Sequence, residues 1–149
     1  MRPRYTAAAA LSAALLALAV PLQADAAAPQ NTLTIDPNGR VTGDGAIILS
    51  GTYQCSAASF SGPVLIGSTL TQDGVRQSIG GTTADCDGQT HRWTNVAQAM
   101  DSGDEGTFAA GPARVEGTML QLDSSSGLPL PNVLVTQERA VTLMADAQG

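Results

Sequence analysis

The strongest constraint on the fold is the alternation of apolar and polar residues in Ala46–Ser56. Ile47, Leu49, Tyr53 and Cys55 fall on one face of an extended chain, and serine, threonine and glutamine occupy most of the positions between them. A period of two places one row of side chains in a core and the other in water. The segment is therefore predicted to be a β-strand with one buried face.

The rest of the chain repeats this pattern in shorter segments that are separated by turn residues. Asp73-Gly74 predicts a hairpin turn, and Gly80-Gly81 predicts a bulge or corner. Strands are predicted at Leu33–Ile35, Val64–Leu70, Val75–Ile79, Ala113–Leu122, Val133–Thr136 and Ala140–Ala145. Seven to nine short strands without a sustained helical period predict an all-β sandwich or small barrel.

Two stretches qualify this strand assignment. A second two-residue hairpin is predicted at Asp87-Gly88, which would place Cys86, His91 and Trp93 on one sheet face. The only tryptophan would then lie near a cysteine. Within Ala113–Leu122 the alternation blurs at its last residues, which predicts cover on both faces or a bulge.

Residues 1–26 have the form of a cleavable export signal. Two arginines precede the fourteen-residue apolar run Ala7–Val20, which is shorter than the about 18–20 residues that a membrane-spanning helix needs. Ala24-Asp25-Ala26 matches a signal-peptidase site, and Ala26-Ala27-Ala28 is a second register. A retained anchor is the less favoured interpretation. Residues 27–149 are expected to form one secreted domain.

The two cysteines, Cys55 and Cys86, are interpreted as a disulfide. In an oxidising compartment a lone pair of cysteines forms a bridge, whereas in the cytosol it would indicate redox or metal chemistry. The chain has no Cys-x-x-Cys sequence, which argues against a redox site.

Composition excludes several classes of function. After the leader, five arginines and twelve acidic residues give a net charge of 5 − 12 = −7. Such a chain repels phosphate backbones and anionic lipid, so neither nucleic-acid nor membrane binding is expected. A single histidine and two cysteines exclude any mechanism that needs two imidazoles and any four-cysteine zinc site. No cofactor is expected.

No catalytic residue is predicted, and the protein is expected not to be an enzyme. His91 is interpreted as structural, because no Gly-x-Ser-x-Gly elbow accompanies it. Asp101, Asp104 and Glu105 form a carboxylate cluster that is a weak candidate for a calcium site. A solvated acidic loop is the favoured interpretation of that cluster.

The chain also resembles a known family through the order Cys…Cys…His-x-Trp. The segments that carry the resemblance are Gly51–Ser56, Thr83–Gly88, His91–Thr94 and Leu128–Pro131. They resemble small secreted actinobacterial domains catalogued as a domain of unknown function, over nearly the whole mature chain. The resemblance implies an extracellular, immunoglobulin-like antiparallel β-sandwich with one disulfide, and it implies no catalytic residue.

Two other families of small secreted proteins share some of these features. The neocarzinostatin-like apoproteins are acidic sandwiches that hold an apolar chromophore, but they have two disulfides. The subtilisin-inhibitor proteins present a cysteine-braced loop that this chain lacks. The favoured function is non-enzymatic binding of an extracellular protein, a cell-wall component or a small molecule. A carrier of a small apolar ligand is the alternative, and a secreted hydrolase or protease inhibitor is less favoured.

Overall fold

The structure is a computed structural model that describes residues 31–56, 62–98 and 108–146. Within these ranges the chain forms eight β-strands and no helix. A helix long and apolar enough to cross a membrane is therefore absent from the described residues. The strands are β1 (Thr32–Leu33), β2 (Asn38–Val41), β3 (Ile47–Ser56), β4 (Val64–Gln72), β5 (Val75–Thr83), β6 (Asp87–Ala97), β7 (Gly111–Asp123) and β8 (Leu130–Ala145). The predicted all-β fold is confirmed.

The strands form one open sheet that folds over into two layers. One layer contains β1, β3 and β6, and the other contains β8, β7, β4 and β5 in that order. β2 joins the layers, because it pairs antiparallel with β3 and parallel with β8. β2 is therefore the strand at which one layer continues into the other.

The buried faces of the two layers form a single core. β3 and β4 alternate strictly between buried and less buried residues, as the sequence pattern predicted for β3. Gly117 of β7 faces Leu33 and Ile35 of the opposite layer. The core consists of Leu33, Ile35, Ile47, Leu49, Tyr53, Cys55, Val64, Ile66, Leu70, Ile79, Trp93, Ala97, Val115, Met119, Val141 and Leu143.

The hairpin that joins β4 to β5 has the predicted turn. Asp73 and Gly74 have φ values of 50° and 83°, and positive φ at both central residues matches the right-handed twist of paired strands. The predicted bulge at Gly80-Gly81 is also confirmed. Gly67 pairs with Gly81 but Thr69 pairs with Ser78, which leaves one extra residue in β5 beside Gly80. Aspartate, asparagine and glycine tolerate the positive φ that the β4–β5 turn requires, so Asp-Gly is a strong local signal of that turn.

The hairpin predicted at Asp87-Gly88 is wrong. β5 pairs with β4 along its length, and β6 pairs with β3, where Asp87 lies opposite Ser56. The chain between β5 and β6 therefore changes layer and does not reverse within one sheet. The physical reason is that β6 finds its backbone partner in β3, with which it pairs from Ala97 to Asp87, and so it belongs to the other layer. The prediction that Trp93 lies on the buried face of its strand is still correct, because Trp93 is fully buried.

β8 is one strand of sixteen residues, although two strands were predicted there. β7 pairs with it from Leu130 to Leu143, and this continuous ladder keeps the chain extended through its polar middle. The pairing is irregular at Met119 and Leu120, which pair with Val135 and Val133, so Leu134 of β8 is the extra residue of a bulge. The blurred alternation in β7 had predicted such an irregularity.

A buried polar bridge connects β6 to the opposite layer. The Asn95 side-chain amide donates to the Ser68 hydroxyl oxygen at 2.9 Å and to the Ile66 carbonyl at 3.2 Å. The Ser68 hydroxyl in turn donates to the Ile79 carbonyl at 2.7 Å. Because each of these buried polar groups has a partner, the hydrogen bonds offset the cost of removing the groups from water, and the bridge fixes the relative position of the layers.

Candidate functional site

The two cysteines form the predicted disulfide. The sulfurs are 2.12 Å apart and the Cα atoms 4.6 Å apart. The bond joins the end of β3 to the residue that precedes β6, within one layer. Cys55 is completely buried, and the enclosed loop contains the β4–β5 hairpin of the other layer.

His91 lies beside this disulfide-bonded end of β6 and pairs with a carboxylate. Its Nε2 atom is 2.8 Å from Asp87 Oδ1, and its ring centroid is 5.5 Å from that of Tyr53. The Gln89 backbone N–H and the His91 side chain lower the pKa of Asp87. Among the described residues no serine hydroxyl contacts His91, so the geometry supplies an imidazole and a carboxylate but no nucleophile.

Two predictions from the sequence fall outside the described residues. They are the signal peptide at 1–26 and the calcium candidate formed by Asp101, Asp104 and Glu105. In the part of the chain that the structure describes, no cluster of three or more histidine, cysteine, aspartate or glutamate side chains could hold a metal ion.

The outer face of the layer that contains β4, β7 and β8 carries a row of apolar side chains. Leu65 pairs with Leu120, and Leu120 pairs with Val133, so the three lie side by side across the strands. They alternate with core residues such as Ile66 and Met119. Residues paired across strands share a sheet face, and the row therefore faces away from the core.

A second apolar row lies next to the first. Leu122 pairs with Pro131, and its N–H donates to the Pro63 carbonyl at 2.9 Å. Val133 of the first row is 59% exposed, and both prolines are exposed. We call the two rows the apolar face: Pro63, Leu65, Leu120, Leu122, Pro131 and Val133.

The same outer face becomes charged towards its other end. The Arg76 guanidinium forms an ion pair with the Glu116 carboxylate at 3.2 Å, and Arg114 forms one with Glu138. These ion pairs are exposed, so each contributes little to stability. Their position matters more, because they divide one sheet face into an apolar half and a charged half.

The edge of β8 beside the apolar face is open but protected. β2 pairs only with the end of β8 from Thr142 to Ala145, and in the described part of the chain no strand covers the same edge at residues 130–137. Pro131 has no N–H to offer there, and the bulge opposite Met119 and Leu120 twists the strand. Proline and bulges are the devices that prevent strand addition at sheet edges. The outer face is therefore accessible, whereas the addition of a strand at this edge is disfavoured.

Two open grooves lie elsewhere on the surface. One, of about 440 Å³, is lined by Asn38, Gly39, Arg40, Ile48, Ser50, Arg92, Thr94 and Met144. The other, of about 350 Å³, lies between β1 and β8 and is lined by Leu33, Thr34, Ile35, Gln137, Glu138 and Arg139. A carrier of an apolar ligand needs a predominantly apolar lining. Both volumes are large enough for a small ligand, but both grooves are open to solvent and two charged side chains line each of them.

A family model matches residues 29–146, which include every described residue. Its description is a family of unknown function, DUF6299. This chain belongs to that family. The match confirms the resemblance to a domain of unknown function and includes Cys55, Cys86, His91 and Trp93. The actinobacterial origin and the immunoglobulin-like description remain predictions.

Individual proteins provide no further information about this chain. No curated protein matches the chain. Among solved structures, murine CRIg is similar with a TM-score of 0.37 and 12% identity, over 78% of this chain and 98% of the CRIg chain. A likeness this distant carries no argument about the fold or the function of this chain.

The apolar face was not predicted from the sequence, although one signal of it was present. The blurred alternation of β7 was interpreted as cover on both faces or a bulge. The structure contains the bulge, and it also places Leu120 and Leu122 on an outer face that no described strand covers.

Proposed function

We propose that this DUF6299 protein is a secreted, non-enzymatic binding module whose apolar face binds another extracellular protein. The observation that supports the proposal is the pair of adjacent apolar rows on the outer face of β4, β7 and β8. Contiguous exposed apolar patches on soluble proteins mark interaction sites, whereas single exposed apolar residues do not.

Charge argues for a partner other than a second copy of this chain. After the leader the chain carries a formal net charge of 5 − 12 = −7, so two copies repel each other as they approach. The apolar face itself contains no charged side chain. A neutral or basic protein that contributes apolar side chains fits it best, and the neighbouring ion pairs would orient that partner.

The absence of catalysis is supported by the surroundings of His91. Its carboxylate partner Asp87 is exposed, and no nucleophile accompanies the pair in the described residues. The alternative function, a carrier of a small apolar ligand, is less favoured because both grooves are lined with charged side chains.

Secretion is supported by the leader sequence and by the disulfide. We expect the protein to be recovered from the culture medium with its N-terminus at Ala27, or at Pro29 if the second cleavage register is used. Intact-protein mass spectrometry of the medium, without reduction, measures both the cleavage site and the mass deficit of one disulfide. Recovery of the uncleaved chain from the cells alone would contradict the proposal.

The apolar face is tested by the substitution Val133→Glu. Val133 is 59% exposed, so the fold should tolerate the change, while a buried carboxylate at the interface should weaken binding by about tenfold or more. Val96→Glu is the matched control, because Val96 is 42% exposed and points outward from the other layer. The partner is first captured from culture medium with the wild-type protein, and its affinity for each variant is then measured by interferometry.

Three results of this experiment can be distinguished. Loss of affinity with Val133→Glu and retention with Val96→Glu supports the proposal. Equal affinity of both variants would show that the apolar face is not the binding site. If sedimentation shows a wild-type dimer that Val133→Glu dissociates, the occupant of the face is a second copy of the chain, and the proposed partner is wrong.

A further inference from the structure

The groove of about 440 Å³ brings two arginines together, each of which has one aspartate near it: Asp146 beside Arg40 and Asp36 beside Arg92. Arg40 and Arg92 line it, and none of its lining residues is acidic, although the chain has 13 acidic residues against seven arginines. The groove lies on the outer face of β2, β3 and β6, away from the apolar face. We call it the arginine groove.

Arg40 has hydrogen-bond donors that the described residues do not use. Its Nη1 is 3.8 Å from Asp146 Oδ1, which exceeds hydrogen-bond distance, and its side chain is 57% exposed. The arginines of the described ranges that lie outside this groove differ, since Arg76 donates to Glu116, Arg114 to Glu138 and Arg139 to the Ile35 carbonyl. Arg40 is thus the guanidinium that is available to a ligand.

Arg92 is held at the same groove by a carboxylate behind it. Its Nη2 donates to Asp36 Oδ2 at 2.5 Å, and the Ser50 hydroxyl donates to the same oxygen at 2.7 Å. Burial opposes ionisation of Asp36, but Ser50 and Arg92 together lower its pKa. The pair is therefore charged at neutral pH. One bond to Asp36 leaves the other donors of Arg92 free to contact a ligand.

Apolar side chains lie beside the two arginines. Ile48 pairs with Arg40 across β3 and β2, and Arg40 pairs with Met144 across β2 and β8. Met144 is 51% exposed. A ligand that fits this lining has a planar anion next to an apolar group, which free phosphate lacks.

We propose that the arginine groove binds the carboxylate of an acidic peptide segment that has an apolar residue beside the acidic one. Guanidinium groups bind carboxylates through paired, charge-assisted hydrogen bonds, and Ile48 with Met144 would contact the apolar residue. The groove and the apolar face lie on opposite outer faces, so this proposal goes beyond the proposed function and does not depend on it.

The test is a titration of the protein with acetyl-Leu-Glu-Leu-Glu-Leu-amide, followed by amide chemical shifts in NMR spectra. We expect shifts confined to β2, β3, β6 and the end of β8 at Met144. Binding should weaken when the salt concentration rises to about 0.2 M, where the Debye length is below 10 Å. Arg40→Gln should lower the affinity about tenfold, because a charge-assisted contact is lost. Arg76→Gln, on the other outer face, should not change it.

The matched peptide with glutamine in place of glutamate should not bind. Equal binding of both peptides, or equal affinity of wild type and Arg40→Gln, would overturn the proposal. Arg40 makes no hydrogen bond with described residues, so its substitution should leave the fold intact, which circular dichroism checks. Shifts at Leu120 and Val133 in place of the groove would also overturn it, without affecting the proposed function.

Discussion

Replacing Cys55 and Cys86 together by alanine is expected to lower the free energy of unfolding by about 3–4 kcal/mol. The disulfide spans a sequence separation of 31 residues, and the enclosed chain contains both strands of the β4–β5 hairpin. In the chain-entropy model, the bond stabilises the fold because it restricts the unfolded chain. The loss is a large part of the about 5–15 kcal/mol that stabilises an ordinary domain.

Urea unfolding measures this loss, and Trp93 provides the signal because it is the only tryptophan and is fully buried. Wild-type protein treated with a reductant is the control, and its unfolding midpoint should fall towards that of the double variant. If the double variant does not fold without urea, the loss is at least the whole free energy of unfolding of the oxidised wild type, which the same urea titration measures. A loss below about 1 kcal/mol would show that the disulfide is not a main source of stability.

The substitution Gly51→Ala is expected to cost about 3 kcal/mol or more, at the upper end of the range for overpacking. A Cβ atom at Gly51 would lie 2.0 Å from the Thr34 carbonyl oxygen and 2.6 Å from Trp93 Nε1. Trp93 is the cross-strand partner of Gly51, and its Nε1 donates to that same Thr34 carbonyl at 2.9 Å. The added methyl group would therefore push the Thr34 backbone away from β3 and break the partly buried hydrogen bond between Trp93 and Thr34.

Thermal unfolding and the Trp93 emission maximum measure the effect of Gly51→Ala. We expect a lower Tm and an emission shift to longer wavelength, since water would reach the indole ring. Gly67→Ala in β4 is the matched control, because no atom lies within 4 Å of its added Cβ. That variant should be neutral or slightly more stable, since glycine weakens a strand interior. An unchanged Tm for Gly51→Ala would contradict the packing described here.

The elements that were predictable from sequence are those whose signals are local. The alternation of β3 specifies a strand with one buried face, and Asp73-Gly74 specifies a tight turn, because both patterns act between neighbours in the chain. The disulfide was also predictable, since the chain contains only Cys55 and Cys86. The hairpin at Asp87-Gly88 had an equally good local signal and was wrong, because β3 is the partner of β6.

Neither candidate binding surface could be found in this way. The apolar face requires Leu65, Leu120 and Val133 to become neighbours across three strands. The arginine groove requires Arg40 and Arg92 to come together from β2 and β6. Each of these residues is unremarkable within its own segment, so only the register between distant strands shows which side chains meet.

The amino-acid sequence by itself determined which segments are extended, where the tightest hairpin turns, which side of β3 is buried and which cysteines join. Only the tertiary structure decided which strand lies beside which, and hence where the apolar face and the arginine groove are. The physical reason is that a period of two assigns each side chain to a face of its strand without naming a partner. The partner is selected by packing and backbone pairing between segments that are far apart in the chain.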